Sequence, residues 1–370
     1  MFWRKKRKDI EEFYQKLPKK ELSIISYLTD GLLVFDRYSR LSLINPRAEE
    51  LLGVKKEKVL GVSFLNLYPF PKFKSLISFL GGEIKNVSRK EVQIKEGFII
   101  EVTAIPMEVE KEKFGTIVLL HNISREKLIE KMKNEFVSLA AHKLRTPTSA
   151  TKWSLGMLLS GDFGIISDQQ RAILKKTYLT NERMIELIED LLNVATIEEG
   201  KYLSKVALSN IEEVIQLVVD NNLERARNKS IGLEFRKSKE KIQNIMLDKK
   251  KMEMAIENII DNAIKYTNPG GRITVFLKGI KKNIEIKIKD SGIGIPEEQQ
   301  ERIFSKFFRG SNVMRMETEG SGLGLFIAKN IIEAHEGQIW FDSKKGKGTT
   351  FYINLPLKEK YGEFLTEEFY

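Results

Sequence analysis

Two long helical stretches, predicted over about Arg125 to Leu159 and Asp168 to Glu198, constrain this chain more than any other feature. Along the second, Leu174, Thr177, Asn181, Met184, Ile188, Leu191 and Ala195 recur at alternating three- and four-residue steps. That is the spacing of a heptad seam, which packs helices side by side. The segment SGDFGIISD between the stretches holds two glycines and can close an antiparallel hairpin. One hairpin cannot bury its seam on both sides, so the expected product is a dimeric four-helix bundle. A hairpin packed against its own chain is the alternative.

The flanks are of a different kind. Before the hairpin, LLVFD, RYSR and LSLIN read as strand, turn and strand. Asn45 can cap the helix that follows, Pro46 suits its first position and Gly53 can end it. EVQIKEG, FIIEVTAIPME and FGTIVLLHN then alternate apolar and polar residues between turn signals, so this part is expected to form a small α+β domain. After the hairpin, IEEVIQLVVDNNLERARN and DKKKMEMAIENIIDNAIKYT are helical. RITVFLK and NIEIKIKD read as a paired hairpin, and QIWFDS and TTFYINLPL add two strands, giving an α/β layer. The expected whole is a multidomain α+β protein of five parts. These are a basic N-terminal segment (1–20), the small α+β domain (21–124), the helix and hairpin (125–200), the α/β domain (201–358) and a C-terminal tail (359–370).

Composition removes several function classes. The chain has no cysteine, which excludes disulfides and thiolate metal sites. No window approaches the ~18 apolar residues of a membrane span, and the charged start leads into no apolar leader, so the expected location is cytoplasmic with no transmembrane segment. The net charge is +11, and part of the excess lies in MFWRKKRK. That run reads as a solvated terminus, with peripheral contact to an anionic membrane surface through Phe2 and Trp3 as the alternative. No nucleic acid partner is expected, because the other lysines and arginines are interleaved with glutamates rather than gathered into a patch.

The chemistry lies in the last third. Asn258 and Asn262 are four apart on one helix face, and Lys265 lies three beyond on nearly the same stripe. Ile256, Ile259, Ile260 and Ala263 supply the buried side. Two amides and an ammonium on one stripe suit a hydrated Mg²⁺ and a polyphosphate, although two solvated asparagines would explain them alone. DSGIGI places Asp290 at a strand end, followed by Gly292 and Gly294, where a carboxylate can accept from an exocyclic amine and glycine lets backbone approach a flat ligand. GSGLGL, Gly320 to Leu325, opens a helix, and glycines there present N–H groups to phosphate. KFFRG adds Arg309 as a candidate γ-phosphate contact.

Taken in order, Asn-x-x-x-Asn-Ala-x-Lys-Tyr, Asp-x-Gly-x-Gly, Phe-x-x-Phe-Phe-Arg and Gly-x-Gly-Leu-Gly resemble the N, G1, F and G2 boxes of sensor histidine kinases. The catalytic domain of that family is an α/β sandwich, the Bergerat ATP-binding fold. DGLLVFDRYSRLSLINPRAEELLG is similar to the opening of PAS sensor domains. HNISREK resembles the PAS exit, with Asn122 and Ser124 where the family usually has Asp-x-Thr. FVSLAAHKLRTP resembles the H box of the family's HisKA-type dimerisation domain. The resemblance implies that Asn262 and Asn258 hold Mg²⁺, that Asp290 reads the adenine amine and that Tyr266 flanks the base. It implies that Lys265, Gly292, Gly294, Arg309, Gly320, Gly322, Leu323 and Gly324 complete the ATP site, under a lid running from about Ser291 to Gly324. It also implies that His142 is the phosphoacceptor, with Arg145 and Thr146 beside it.

The geometry of a helix agrees: at ~100° per residue His142 points about 200° away from Leu144 and so leaves the seam. Lys143 is the departure, since many family members carry Glu or Asp immediately after the histidine, able to orient the imidazole and take its proton. His121 and His335 lack such surroundings and read as structural. The expected activity is autophosphorylation of His142 by Mg-ATP, followed by transfer to an aspartate of a response regulator. A dimeric ATP-binding scaffold with weak or no kinase activity is the alternative that Lys143 allows. A gyrase- or chaperone-like ATPase is the third reading; such enzymes place a water-activating Glu one turn before the metal-binding Asn, where this chain has Asn258.

Overall fold

The computed structural model describes residues 19–357 apart from 82–83, 85, 110–111, 201–202, 204, 239–241, 281 and 311–319. The basic N-terminal run, the tail 359–370 and the centre of the expected lid therefore lie outside the described residues. The chain divides into two units, Met1–Lys133 and Asn134–Tyr370.

In the first unit, α1 (Lys19–Ser26) leads to β1 (Gly31–Asp36) and β2 (Leu41–Ile44). Short helices follow: α2 (Pro46–Leu52), α3 (Lys56–Val59), a 3₁₀ turn (Phe64–Leu67) and α4 (Pro71–Leu80). Three strands complete an antiparallel sheet, β3 (Val87–Lys95), β4 (Phe98–Val109) and β5 (Glu112–Asn122), in the order β2-β1-β5-β4-β3. Asn45 does more than cap α2. Its Oδ1 accepts from the N–H of Ala48 at 2.9 Å and of Leu32 at 2.8 Å, and its Nδ2 donates to the carbonyl of Asp30 at 2.9 Å. One buried amide thus starts the helix and holds it to β1. Phe35, Phe64 and Phe73 are buried at the centre, the first two edge-to-face at 5.3 Å. At the exit of this unit, Asn122 Oδ1 accepts from both the N–H and the hydroxyl of Ser124, at 3.0 and 2.6 Å. Ser124 Oγ in turn accepts from the N–H of Ile99 in β4 at 2.9 Å, so Asn-x-Ser makes a cap tied to the sheet.

The division between the units falls within α5 (Ser124–Ser160), which runs unbroken through Pro147. Antiparallel to it lies α6 (Asp168–Glu198), opened by a capping box in which Ser167 and Gln170 satisfy each other's backbone N–H. The clasp between them is polar: Asn181 Nδ2 donates to the carbonyl of Thr148 at 2.9 Å, and Lys152 pairs with Glu182 at 2.7 Å. Beyond the hairpin come β6 (Val206–Ser209), α7 (Ile211–Asn228), β7 (Gly232–Arg236), β8 (Ile245–Asp248) and α8 (Lys249–Tyr266). Then follow β9 (Arg272–Ile280), β10 (Asn283–Asp290), the single turn α9 (Glu297–Gln300), α10 (Gly324–Ala334), β11 (Gln338–Lys344) and β12 (Gly348–Pro356). The main sheet has the order β11-β12-β10-β9-β7, with β7 parallel to β9 and the rest antiparallel. Ile256, Ile259, Ile260 and Ala263 of α8 are buried against it, each isoleucine contributing about 1.5–3 kcal/mol. Val194 and Ile197 of α6 join the same core. His335 is buried: Nε2 accepts from the N–H of Asp248 at 2.9 Å and Nδ1 lies 2.7 Å from the Ile331 carbonyl, while burial lowers its pKa. Among the described residues no helix is long and apolar enough to cross a membrane.

Candidate functional site

Asp290 ends β10, and the chain leaves the strand in a tight glycine turn. The carboxylate is buried, and its Oδ1 accepts from the N–H of Gly292 at 2.8 Å and of Thr349 at 3.1 Å. Burial pushes its pKa above the usual aspartate range, and the backbone donors oppose that shift. Space dictates glycine at position 292, where a Cβ would lie 2.9 Å from Asp290 Oδ1 and press on the Tyr266 carbonyl. Gly294, at φ +66°, holds a left-handed turn that an L side chain rarely adopts.

Asp290 and Gly294 open on a cavity of about 1220 Å³. Asn258, Asn262, Lys265 and Tyr266 reach it from α8, Asp290 and Gly294 from the end of β10, and Arg309 from the following segment. Gly320, Gly322 and Gly324 reach it from the loop before α10 and its first residue. The helix thus opens only at the third glycine; Gly320 and Gly322, at φ +143° and +69°, precede it. A Cβ on Gly324 would meet Asn258 Oδ1 at 3.0 Å, so glycine keeps that amide clear. Two expected nucleotide residues do not line the cavity. Gly292 instead donates to Asp290, and Leu323 is buried in the core. Lys265 lines it, but its ammonium already pairs with Asp261 at 2.6 Å, and Asp261 also takes Arg225 at 2.5 Å.

The H-box residues lie on α5. His142, Lys143 and Thr146 are exposed, while Ala141 and Thr148 on either side of them are buried. Thr148 Oγ1 donates to the carbonyls of Leu144 and Arg145, at 2.8 and 2.9 Å, and its own carbonyl takes the Asn181 clasp. Arg145 Nε is buried without an acceptor among the described residues. His142 is not among the residues lining the cavity.

Residues 132–200 match the family described as the His Kinase A (phospho-acceptor) domain, and residues 247–359 match the histidine kinase-, DNA gyrase B-, and HSP90-like ATPases. The sensor histidine kinase WalK of Bacillus subtilis (strain 168) is 30% identical over 348 residues, covering 92% of this chain and 56% of that relative. A sensor protein kinase WalK of Staphylococcus epidermidis is 30% identical over 345 residues, 90% of this chain and 54% of the relative. The phosphoacceptor-domain match includes the exposed histidine, and the ATPase match includes Asn258, Asn262, Asp290 and the glycine loop of the cavity. The chain belongs to the sensor histidine kinases. It spans about half the length of these two curated relatives. Its fold is shared with full-length ShkA, crystallised with AMPPNP, at a TM-score of 0.50 and 22% identity over 62% of this chain and 47% of that one.

In this sensor histidine kinase, part of the cavity wall comes from a place the motifs do not mark. Glu182, Glu186 and Asp190 of α6, each four residues apart, also line it. Burial raises the pKa of Glu186 and of Asp190, and Asp190 Oδ2 accepts from the hydroxyl of Ser321 at 2.6 Å. Ser321 lies between Gly320 and Gly322, so the helix holds the glycine loop through one hydrogen bond. Lys306 pairs with Glu198, and Lys251 donates to Asn193 at 3.1 Å, adding two further ties to α6.

Proposed function

We propose that this chain is an ATP-dependent protein-histidine kinase that phosphorylates His142 and passes the phosphoryl group to an aspartate of a response regulator. The observation that carries this reading is the convergence of Asp290, Asn262 and the glycine loop on one cavity, in a chain that also presents an exposed histidine on a helical hairpin. Asp290 uses Oδ1 for two backbone donors, which leaves Oδ2 to accept from the adenine amine. Asn262 and Asn258 supply amide oxygens of the kind a hydrated Mg²⁺ takes, and the clearance at Gly324 fits that role. Such an ion neutralises the charge of the phosphate chain. Tyr266, Arg309 and the backbone from Gly320 to Gly324 orient the rest of the nucleotide.

In the transfer, a lone pair of the neutral His142 imidazole attacks the γ-phosphorus. The bond to the β,γ-bridging oxygen breaks, and ADP leaves with that electron pair. The ring proton is then lost to solvent. The aspartate carboxylate of the partner later attacks the phosphorus to form an acyl phosphate, while the N–P bond breaks and the His142 imidazole leaves with that electron pair and takes up a proton from solvent. Because α6 rather than His142 borders the cavity, transfer requires the ATP-binding part to leave this arrangement or to serve a second chain. The hairpin supports a second chain: Phe136, Leu139, Ile173 and Met184 are all exposed, which a dimeric four-helix bundle would cover. Residues 21–124 serve in this reading as a PAS-like sensor domain, with 125–200 and 201–358 as the phosphoacceptor and catalytic domains. This reading takes the activity to be cytoplasmic, where Mg-ATP is supplied.

The fate of γ-labelled ATP tests this reading. Acid-labile label on the protein is the expected result. Free phosphate without protein label would instead indicate a hydrolase, with the cavity-lining Glu257 as the base to examine. Neither product would indicate a binding scaffold.

A further inference from the structure

The sheet face turned away from the core carries a row of side chains that the kinase reading does not use. Arg236 of β7, Phe276 of β9, Lys287 of β10, Tyr352 of β12 and Trp340 of β11 stand directly opposite one another across all five strands. They form a continuous ladder. The Arg236 guanidinium, which also pairs with Glu234 at 2.8 Å, lies 5.4 Å from the Phe276 ring centre. Lys287 sits 6.0 Å from that ring and 5.2 Å from Tyr352, and Tyr352 stacks on Trp340 at 5.3 Å with the rings 4° from parallel. Trp340 remains 40% exposed. At one end a groove of about 490 Å³ is lined by Arg236, Lys237, Lys278 and Lys287 against the single acid Glu285. Solvated lysines on a strand are ordinary, but cations alternating with stacked aromatics in register make a platform that is both positive and apolar.

One segment of this chain has the complementary chemistry. Residues 359–370, EKYGEFLTEEFY, carry Glu359, Glu363, Glu367 and Glu368 against Lys360 alone, interleaved with Tyr361, Phe364, Phe369 and Tyr370. The segment leaves the fold beside the groove, because the N–H of Leu357 donates to the Lys282 carbonyl at 2.7 Å and so fixes the exit at the β9–β10 turn, next to Lys278 and Gly279. At ~3.3 Å per residue an extended stretch of this length reaches about 40 Å, whereas the row across five strands spans only about 19 Å. We propose that the acidic–aromatic C-terminal segment docks on this cation–aromatic row of its own chain, its carboxylates over Arg236 and Lys287 and its rings against Tyr352 and Trp340.

The absence of cysteine makes the test direct. In the full-length Thr366→Cys protein a bimane label has one attachment point, and tryptophan quenches bimane at contact distance. The label should be quenched, and Trp340→Phe should remove the quenching although Trp3 and Trp153 remain. Arg236→Glu with Lys287→Glu should also remove it, as should high salt, because the contact is ionic and exposed. Equal bimane intensity with and without Trp340 would overturn the proposal, as would quenching indifferent to the two charge reversals. Mixing labelled Trp340→Phe protein with unlabelled parent restores quenching only if the segment docks on a second copy, and that result would overturn the assignment to its own chain.

Discussion

His142 and Lys143 are neighbours on the exposed side of α5, and the chemistry of the first is set partly by the charge of the second. When an imidazole nitrogen bonds to phosphorus the ring becomes cationic. A carboxylate at the next position would stabilise that cation and take its proton, an effect of about 10²–10⁴ in rate for general-base catalysis. An ammonium opposes the developing charge, though exposure screens it and its pull on the γ-phosphate offsets part of the penalty. Lys143→Glu should therefore speed labelling of His142, by about 10²-fold at the low end of that range. The initial rate at saturating Mg-ATP measures this, and a slower variant would make Lys143 an active participant. Single residues were legible in the sequence where one side chain has one local role, as Asn45 has in capping a helix, Gly53 in ending it, and Asp290 in standing between a strand and a glycine turn. What stayed hidden at the same positions was long-range. Asn45 also holds Leu32, thirteen residues away, and Asp290 takes its second donor from Thr349, fifty-nine residues away.

The helix α6 was legible as a seam but not as a wall. Of its seam positions, Asn181, Ile188 and Ala195 are buried, Leu174 and Leu191 are half-buried, and Thr177 and Met184 are exposed. The carboxylates at Glu182, Glu186 and Asp190 are also periodic, but an acid every fourth residue is what any solvated helix face shows, and only packing against the cavity distinguishes these. Asp190 accepts from the Ser321 hydroxyl, so with ATP in the proposed site it would compete with a phosphate for that donor and repel the phosphate charge. Asp190→Asn keeps an acceptor for Ser321 and removes the charge, so it should tighten AMPPNP binding about fivefold, roughly 1 kcal/mol. Calorimetry with parent and variant reads the difference; equal or weaker binding in the variant would remove Asp190 from the nucleotide's surroundings. The pH dependence has a definite sign. Burial raises the pKa of Asp190 above the usual 3.8, so on acidification it becomes neutral sooner than an ordinary aspartate. The gap between parent and variant should therefore be full above that raised value and close as pH falls through it.

The order of elements along the chain was readable because each stretch has its own pattern: a period of two in the strands, three-four in the hairpin, and glycine punctuation around Asp290 and before α10. What a linear reading could not supply was the placement of the hairpin's second helix beside those glycine turns, since α6 borders their cavity while His142 on α5 does not. The exposed apolar residues of the hairpin predict that the full chain sediments as a dimer at micromolar concentration; a monomer would remove the four-helix bundle. The central claim is that the phosphoryl group of ATP comes to rest on His142. It is tested most directly by incubating full-length protein and its His142→Gln variant with γ-labelled Mg-ATP and counting acid-labile label on each. Label on the parent and none on His142→Gln is the predicted result, and label persisting on the variant would contradict it.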